Sequence, residues 1–364
     1  MKNTFGNSLS VTLFGESHGE AVGAVIDGLA PGIEINEEFI ASQLDLRRPA
    51  GKISTARHEG DKVRILSGVF NSKATGTPLA LIIENENTKS ADYEKTRYLA
   101  RPSHADYTAQ VKYRGYQDYR GGGHFSGRIT APLVAAGAVA IDMLRKKGVY
   151  IATHIKNLHG VCDRDFDNLK SDIDYLNSIP YAVLDENAKE KMIAETEKAA
   201  AQGDSVGGTL ETAVIGLESG LGEPWFDSIE SQLAHILFSV PAVKGVEFGA
   251  GFGFANMTGS EANDPFYVEN SKVKTYTNNN GGINGGITNG MPIIFRCAVK
   301  PTPSIFKEQK TIDMNTMQNA VLSLKGRHDP AVIHRARVVI DSVTALCIAD
   351  MLTARHGADW FGGE

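Results

Sequence analysis

No apolar run in this chain reaches the roughly 18 residues that a membrane span requires. The first 30 residues carry Glu16, Glu20 and Asp27 where a secretion signal would place a cationic start, an apolar stretch and a cleavage site. Cysteine is scarce. Cys162, Cys297 and Cys347 are far apart and odd in number, without CxxC spacing, which argues against a disulfide framework and a structural zinc and leaves no metal to expect. A reducing, cytoplasmic setting follows. No low-complexity linker and no repeat of fixed period is found, so a single domain over 1–364 is expected. Nor is there an excess of positive charge: 37 Lys and Arg against 43 Asp and Glu give a net charge of -6, which argues against duplex DNA as the main partner.

What the chain has in excess is glycine, 38 residues gathered in clusters at 121–123, 207–208, 249–253 and 281–286. Such clusters let several backbone segments approach one ligand closely. The first lies in the stretch Arg101–Arg128, RPSHADYTAQVKYRGYQDYRGGGHFSGR, where Arg101, Lys112, Arg114, Arg120 and Arg128 outnumber Asp106 and Asp118. A cationic segment inside an acidic protein points to a bound anion. His104 and His124 add groups able to change charge near neutral pH. The same Arg, Tyr and Gly mixture also describes a loop that binds single-stranded RNA by stacking and phosphate contact, or a solvated structural loop.

Along the chain, SLSVTL at 8–13 alternates as a half-buried strand and runs into GESHG, where Gly15 and Gly19 bracket Glu16, Ser17 and His18. A helix is expected from the N-cap Asn36 to Arg47 and Arg48 before Pro49, with those arginines either capping its C-terminus or binding anions. Strands follow at 63–70 and 78–85. Thr130 is expected to cap an alanine-rich, closely packed helix ending at Gly148, followed by the strand VYIATHI. Residues 186–202 read as a surface helix, TLETAVIGL as a strand, and SIESQLAHILF as an amphipathic helix with His235 off its apolar face. PIIFRCAV is a strand with Gly281–Gly290 before it and Lys300 after it, and a last helix is expected from about Asp341 to Arg355. Strands and helices do not alternate strictly, which points to an α+β fold of layered sheets and helices rather than a doubly wound one.

Read together, GESHG, RPSHADYT, YRGGG, GDSVGG, KGVEFGAGF, NNNGGINGGI, KPTPS and GRHDP closely resemble the chorismate synthase family, in order, from about residue 5 to residue 355. The resemblance implies a single-domain β-α-β sandwich, helices layered between antiparallel sheets, assembled as a homotetramer. It implies conversion of 5-enolpyruvylshikimate 3-phosphate to chorismate and phosphate, a 1,4-anti elimination that needs reduced FMN without net redox change. By motif, His104 looks like the acid that assists phosphate departure and His18 the group that protonates or stabilises reduced flavin. Asp329 resembles the carboxylate near flavin N5, with Ser17 and Ser126 helping to position it. FMN contacts would come from His124, Phe125, Ser126, Ala242, Gly285, Lys300, Pro301, Thr302, Pro303, Ser304 and Arg327. Arg47, Arg48 and Arg57 look like substrate-anion ligands, and Arg47 with Lys52 align with positions linked to a nicotinamide nucleotide, so NADPH enters as an indirect reductant. The chain departs from the common pattern at His124 and Phe125, where many members have Arg and Ser, and at Lys52, where many have Arg.

Two other classes compete. A flavin oxidoreductase acting on an anionic small molecule would use the same glycine loops, but would consume one reductant per turnover. An RNA-binding protein is opposed by the acidic balance and by the lack of an aromatic RNA-recognition signature.

Overall fold

Strand alternation in the N-terminal quarter builds the first layer. The computed structural model describes residues 2–48, 60–86, 94, 96–324 and 329–362. Its first sheet runs, in spatial order, Thr4–Phe5, Ser10–Gly15, Ala21–Asp27, Leu79–Glu84 and Val63–Ser67, every neighbour antiparallel. A second antiparallel sheet has the order Val243–Phe248, Ile293–Val299, Gly208–Ile215, Tyr150–Leu158 and Val161–Cys162.

Helices fill the space between. Thr130–Lys146 packs on the first sheet through Ala21–Asp27, Ile333–His356 packs on the second through Tyr150–Leu158, and the two helices pack on each other. Their crossing is tight because a β-carbon on Gly137 would lie 2.2 Å from the Ser342 β-carbon. The alanine-rich face supplies the rest of that approach, with Ala135, Ala136 and Ala138 fully buried. Helix Glu37–Arg47, with Asn36 capping through the Phe39 N–H, lies against Thr130–Lys146. One apolar cluster joins Val22, Leu81, Val134, Val343, Leu210 and Ile155 across all layers, each buried aliphatic contributing roughly 1.5–3 kcal/mol. The α+β sandwich expected from the sequence is the fold found.

Several expectations change. Ile333–His356 begins eight residues before Asp341. Its first turns carry His334 and Arg337, which are buried with partners: Arg337 donates to the Ile179 carbonyl at 2.8 Å and pairs with Asp341 at 3.4 Å. Thr130 is not an N-cap but the first helical residue, its hydroxyl donating to the Gly127 carbonyl at 2.6 Å. Gly127–Lys146 is, by length and composition, apolar enough to cross a membrane, which the sequence reading missed. Its buried position between the sheets is that of a core helix.

On the outer face of the second sheet, register lines up His154, Glu211, Arg296 and Glu247 across four strands. Asp163 extends the row, accepting from His154 Nδ1 at 2.6 Å while Glu211 faces Nε2 at 3.1 Å. The alternation of sign is what allows His154, Glu211 and Asp163 to be buried at all.

Candidate active site

The turn between the two central strands of the first sheet carries Ser17 and His18, both buried. It is pinned from two sides: the Ser17 N–H donates to the Gly123 carbonyl at 3.1 Å, and Asn85 Nδ2 donates to the carbonyls of Glu16 and Gly19 at 3.0 and 2.9 Å. Gly123 belongs to the glycine triplet, whose φ values of 60°, 86° and 53° at Gly121, Gly122 and Gly123 lie where a side chain is strained. The triplet also sits too close to its neighbours for a β-carbon. One on Gly121 would be 2.5 Å from His18 Cδ2, 2.6 Å from His18 Nε2 and 3.0 Å from Ser17 Oγ; one on Gly122 would be 3.3 Å from His104 Cε1 and 3.5 Å from His104 Nε2. Consecutive residues therefore carry the two histidines, one each.

His104 is delivered by the turn before helix Asp106–Lys112. Its Nδ1 lies 2.9 Å from Asp106 Oδ1. Arg101 clamps the same carboxylate with Nε and a terminal nitrogen, at 2.8 and 2.7 Å. Burial alone would raise the Asp106 carboxyl, but the hydrogen bonds from Arg101 and His104 outweigh it and hold it well below the usual carboxylate range. The turn is tied to distant chain: Lys300 Nζ donates to the Ser103 carbonyl at 2.6 Å, and Ala100 pairs with the hairpin Gln309–Asp313/Gln318–Leu322 through Ile312 and Thr311.

The cationic reading of 101–128 needs revision. Arg101 is bound to Asp106, Arg120 to Asp118, and Arg128 to Asp61. Lys112 and Arg114 are exposed. Thus Asp106, not the cations flanking it in sequence, is the charge nearest His104. Arg128 joins a buried set in which Asp61 also takes Arg47 at 2.6 Å, two cations on one carboxylate. Arg128 Nε further donates to Asn85 Oδ1 at 2.9 Å, connecting this set to the Ser17–His18 turn. Arg48 pairs with Asp45 at the helix end.

His124 Nδ1 lies 2.8 Å from the Gly15 carbonyl, so that nitrogen carries its proton. Phe125 is edge-on to Tyr113 at 6.0 Å. Ser126 Oγ accepts from the Arg128 N–H at 3.3 Å and begins the short turn into Thr130–Lys146. Asp329 is buried against Arg335 and beside His334. His334 is stacked on Tyr181 with ring centroids 6.2 Å apart, and burial lowers its imidazole from the ordinary value. Ala242, at φ 76°, accepts from the Lys300 N–H at 2.9 Å, and the Pro301–Ser304 segment follows, anchored by Ser205 Oγ on the Thr302 carbonyl at 2.7 Å. Gly285 stands apart in the tight hairpin Ile283–Thr288, where a β-carbon would meet nothing within 4 Å. Lys52, Arg57 and Arg327 lie outside the described residues.

The structure thus joins Ser17, His18, His104, His124, Ser126 and, through Ser103, Lys300. Sequence reasoning missed Asp61, Asn85 and the role of Asp106. Asp106 had a signal, its spacing of two from His104 and five from Arg101; Asn85 had none.

Two buried oxygens of the expected site residues, Ser17 Oγ and Thr302 Oγ1, have no hydrogen-bond partner among the described residues. Orphaned buried hydroxyls beside a glycine-lined approach fit a polar ligand.

Residues 9–353 match the family model of chorismate synthase. A chorismate synthase of Thermococcus gammatolerans is 48% identical over 357 residues, spanning 98% of this chain and 99% of the relative. One of Pyrococcus abyssi is 47% identical over 351 residues, with 96% and 98% covered. A crystal structure of chorismate synthase superposes with a TM-score of 0.73 at 26% identity, covering 97% of this chain and 94% of the other.

Proposed function

The chain belongs to the chorismate synthase family, carbon–oxygen lyases of the shikimate pathway, and from that premise we propose that it converts 5-enolpyruvylshikimate 3-phosphate to chorismate and phosphate by 1,4-anti elimination with reduced FMN. One observation carries the reading: His18 and His104 rest on consecutive glycines, Gly121 and Gly122, beside the orphaned Ser17 hydroxyl.

The residues that would hold FMN are His124, Phe125, Ser126, Ala242, Gly285, Lys300 to Ser304 and Arg327, and the orphaned Thr302 Oγ1 supports that set. When bound, reduced FMN supplies reversible electron donation to the substrate. His104 acts at Nε2, giving a proton to the phosphate oxygen as the C–O electron pair departs with the phosphate. The proton lost from the substrate carbon balances the one delivered, and its C–H electron pair enters the new double bond. His18 would hold a proton toward the cofactor, and Ser17 and Ser126 would help to position Asp329, the carboxylate on its N5 side. Arg47 and Arg128, which converge on Asp61, together with Arg48 and Arg57, would favour the substrate's phosphate and carboxylates.

The enzyme works as one catalytic domain in a cytoplasmic homotetramer. Arg47 is buried on Asp61, which favours NADPH as an indirect reductant acting through a separate reductase. Anaerobic turnover with chemically reduced FMN tests the reading: chorismate should form in large excess over flavin, with the flavin still reduced. Flavin oxidised in step with product would replace it with an oxidoreductase.

A further inference from the structure

The function proposed for His104 puts the proton transfer at Nε2, and something must decide that choice of nitrogen. The surroundings of the ring answer this. Asp106 takes four donors: Oδ2 accepts from the Arg101 N–H at 2.9 Å and from Arg101 Nε at 2.8 Å. Oδ1 accepts from the Arg101 terminal nitrogen at 2.7 Å and faces His104 Nδ1 at 2.9 Å. The bidentate clamp fixes the carboxylate plane, so Asp106 cannot rotate away from the ring. An ionised carboxylate has no proton to donate, so Nδ1 must be the nitrogen that carries one. The other edge of the ring, Cε1 and Nε2, is the edge that abuts the Gly122 backbone.

We propose that Asp106 is a positioning residue that keeps a proton on His104 Nδ1, so that Nε2 is the atom that takes up the second proton of an imidazolium, whose charge Asp106 balances, and gives it to the departing phosphate. Arg101 in turn fixes Asp106. The inference rests on His104 acting on the departing phosphate, and it gives Arg101 a structural partner rather than a ligand anion.

Asp106→Asn separates the possibilities, because its amide can donate to Nδ1 and so favours a proton on Nε2. Loss of a tautomer-fixing carboxylate should lower kcat by about 10²- to 10⁴-fold, with KM changed by less than about threefold. Asp106→Glu, which keeps the charge, should recover part of the lost kcat. In protein labelled with ¹⁵N-histidine, the signals missing from His104→Gln should report the proton on Nδ1 in the wild type and on Nε2 in Asp106→Asn. This spectrum is independent of turnover. A wild type that makes no chorismate with reduced FMN would remove the proposed reaction and leave the tautomer assignment standing. A wild-type proton on Nε2, equal kcat losses in the Asn and Glu variants, or an Asn variant within about threefold of wild-type kcat would overturn the role of Asp106. Should Asp106→Asn not fold, the wild-type spectrum alone decides.

Discussion

Gly121 and His18 are in contact to the exclusion of any side chain: a β-carbon at 121 would sit 2.6 Å from His18 Nε2, below any tolerable separation. Gly121→Ala must move the imidazole or the triplet, and at φ 60° it is strained as well. A displacement near 1 Å costs about 10² in rate, so kcat should fall at least about 10²-fold with the fold intact. Gly259→Ala, where a β-carbon meets nothing within 4 Å, is the control. Chorismate formation and melting temperature measured on both variants decide; near wild-type kcat in Gly121→Ala would mean His18 is not held in its working position by this contact.

His104→Ala removes the acid and little else, since the ring's side-chain hydrogen bond among the described residues is to Asp106, which keeps Arg101. The expected loss is about 10² to 10⁴ in kcat, with flavin affinity nearly unchanged by fluorescence titration. A parallel loss of flavin binding would make His104 a shaper of its turn instead.

Asp61 is a buried carboxylate on which Arg47 and Arg128 converge. Asp61→Asn takes this carboxylate charge from both arginines, and removal of one partner from a buried ion pair costs about 3–5 kcal/mol. Denaturant unfolding should show a loss of that size. A change below about 0.5 kcal/mol would place these arginines in water.

The His154 row predicts a pH signature. Burial by itself lowers the imidazole, but its bonds to Asp163 and Glu211 outweigh burial and raise it above the ordinary value. Its stabilisation is then fully present below the unfolded value of about 6.5 and is lost as pH rises through the higher folded one. Burial likewise raises the Asp163 carboxyl, yet bonds from His154 and the Leu184 N–H hold it lower. That contribution is present above about 3.9 and lost as pH falls. The melting-temperature gap between wild type and His154→Gln should be widest between those limits and shrink toward alkaline pH. A gap unchanged from about pH 5 to pH 10 would mean a neutral His154.

Legibility in the sequence followed the physics of each element. Ser10–Gly15, Glu37–Arg47 and Ile229–Leu237 announce themselves by period and cap. The early turns of Ile333–His356 do not, because Arg337 is buried by carbonyls of Leu176 and Ile179, more than 150 residues away. The motif histidines and glycines of the site could be named from their resemblance. Their partners could not be read so easily: counting charge along 101–128 treats Arg128 as available to an anion, whereas Asp61, brought in from another segment, takes it.

Ile333–His356 closes the space between the two sheets, and it is also the last long element of the chain. During synthesis, which delivers the chain from its N-terminus, Thr130–Lys146 is made early enough to cover the first sheet, but the second sheet emerges with its inner face uncovered, and Gly137 has no Ser342 to cross. The nascent protein must therefore hold the inner face of the second sheet and the facing side of Thr130–Lys146 in water until Ile333–His356 has been made. That makes this stage the one at which chaperone occupancy, and loss of chain to aggregation, should be greatest.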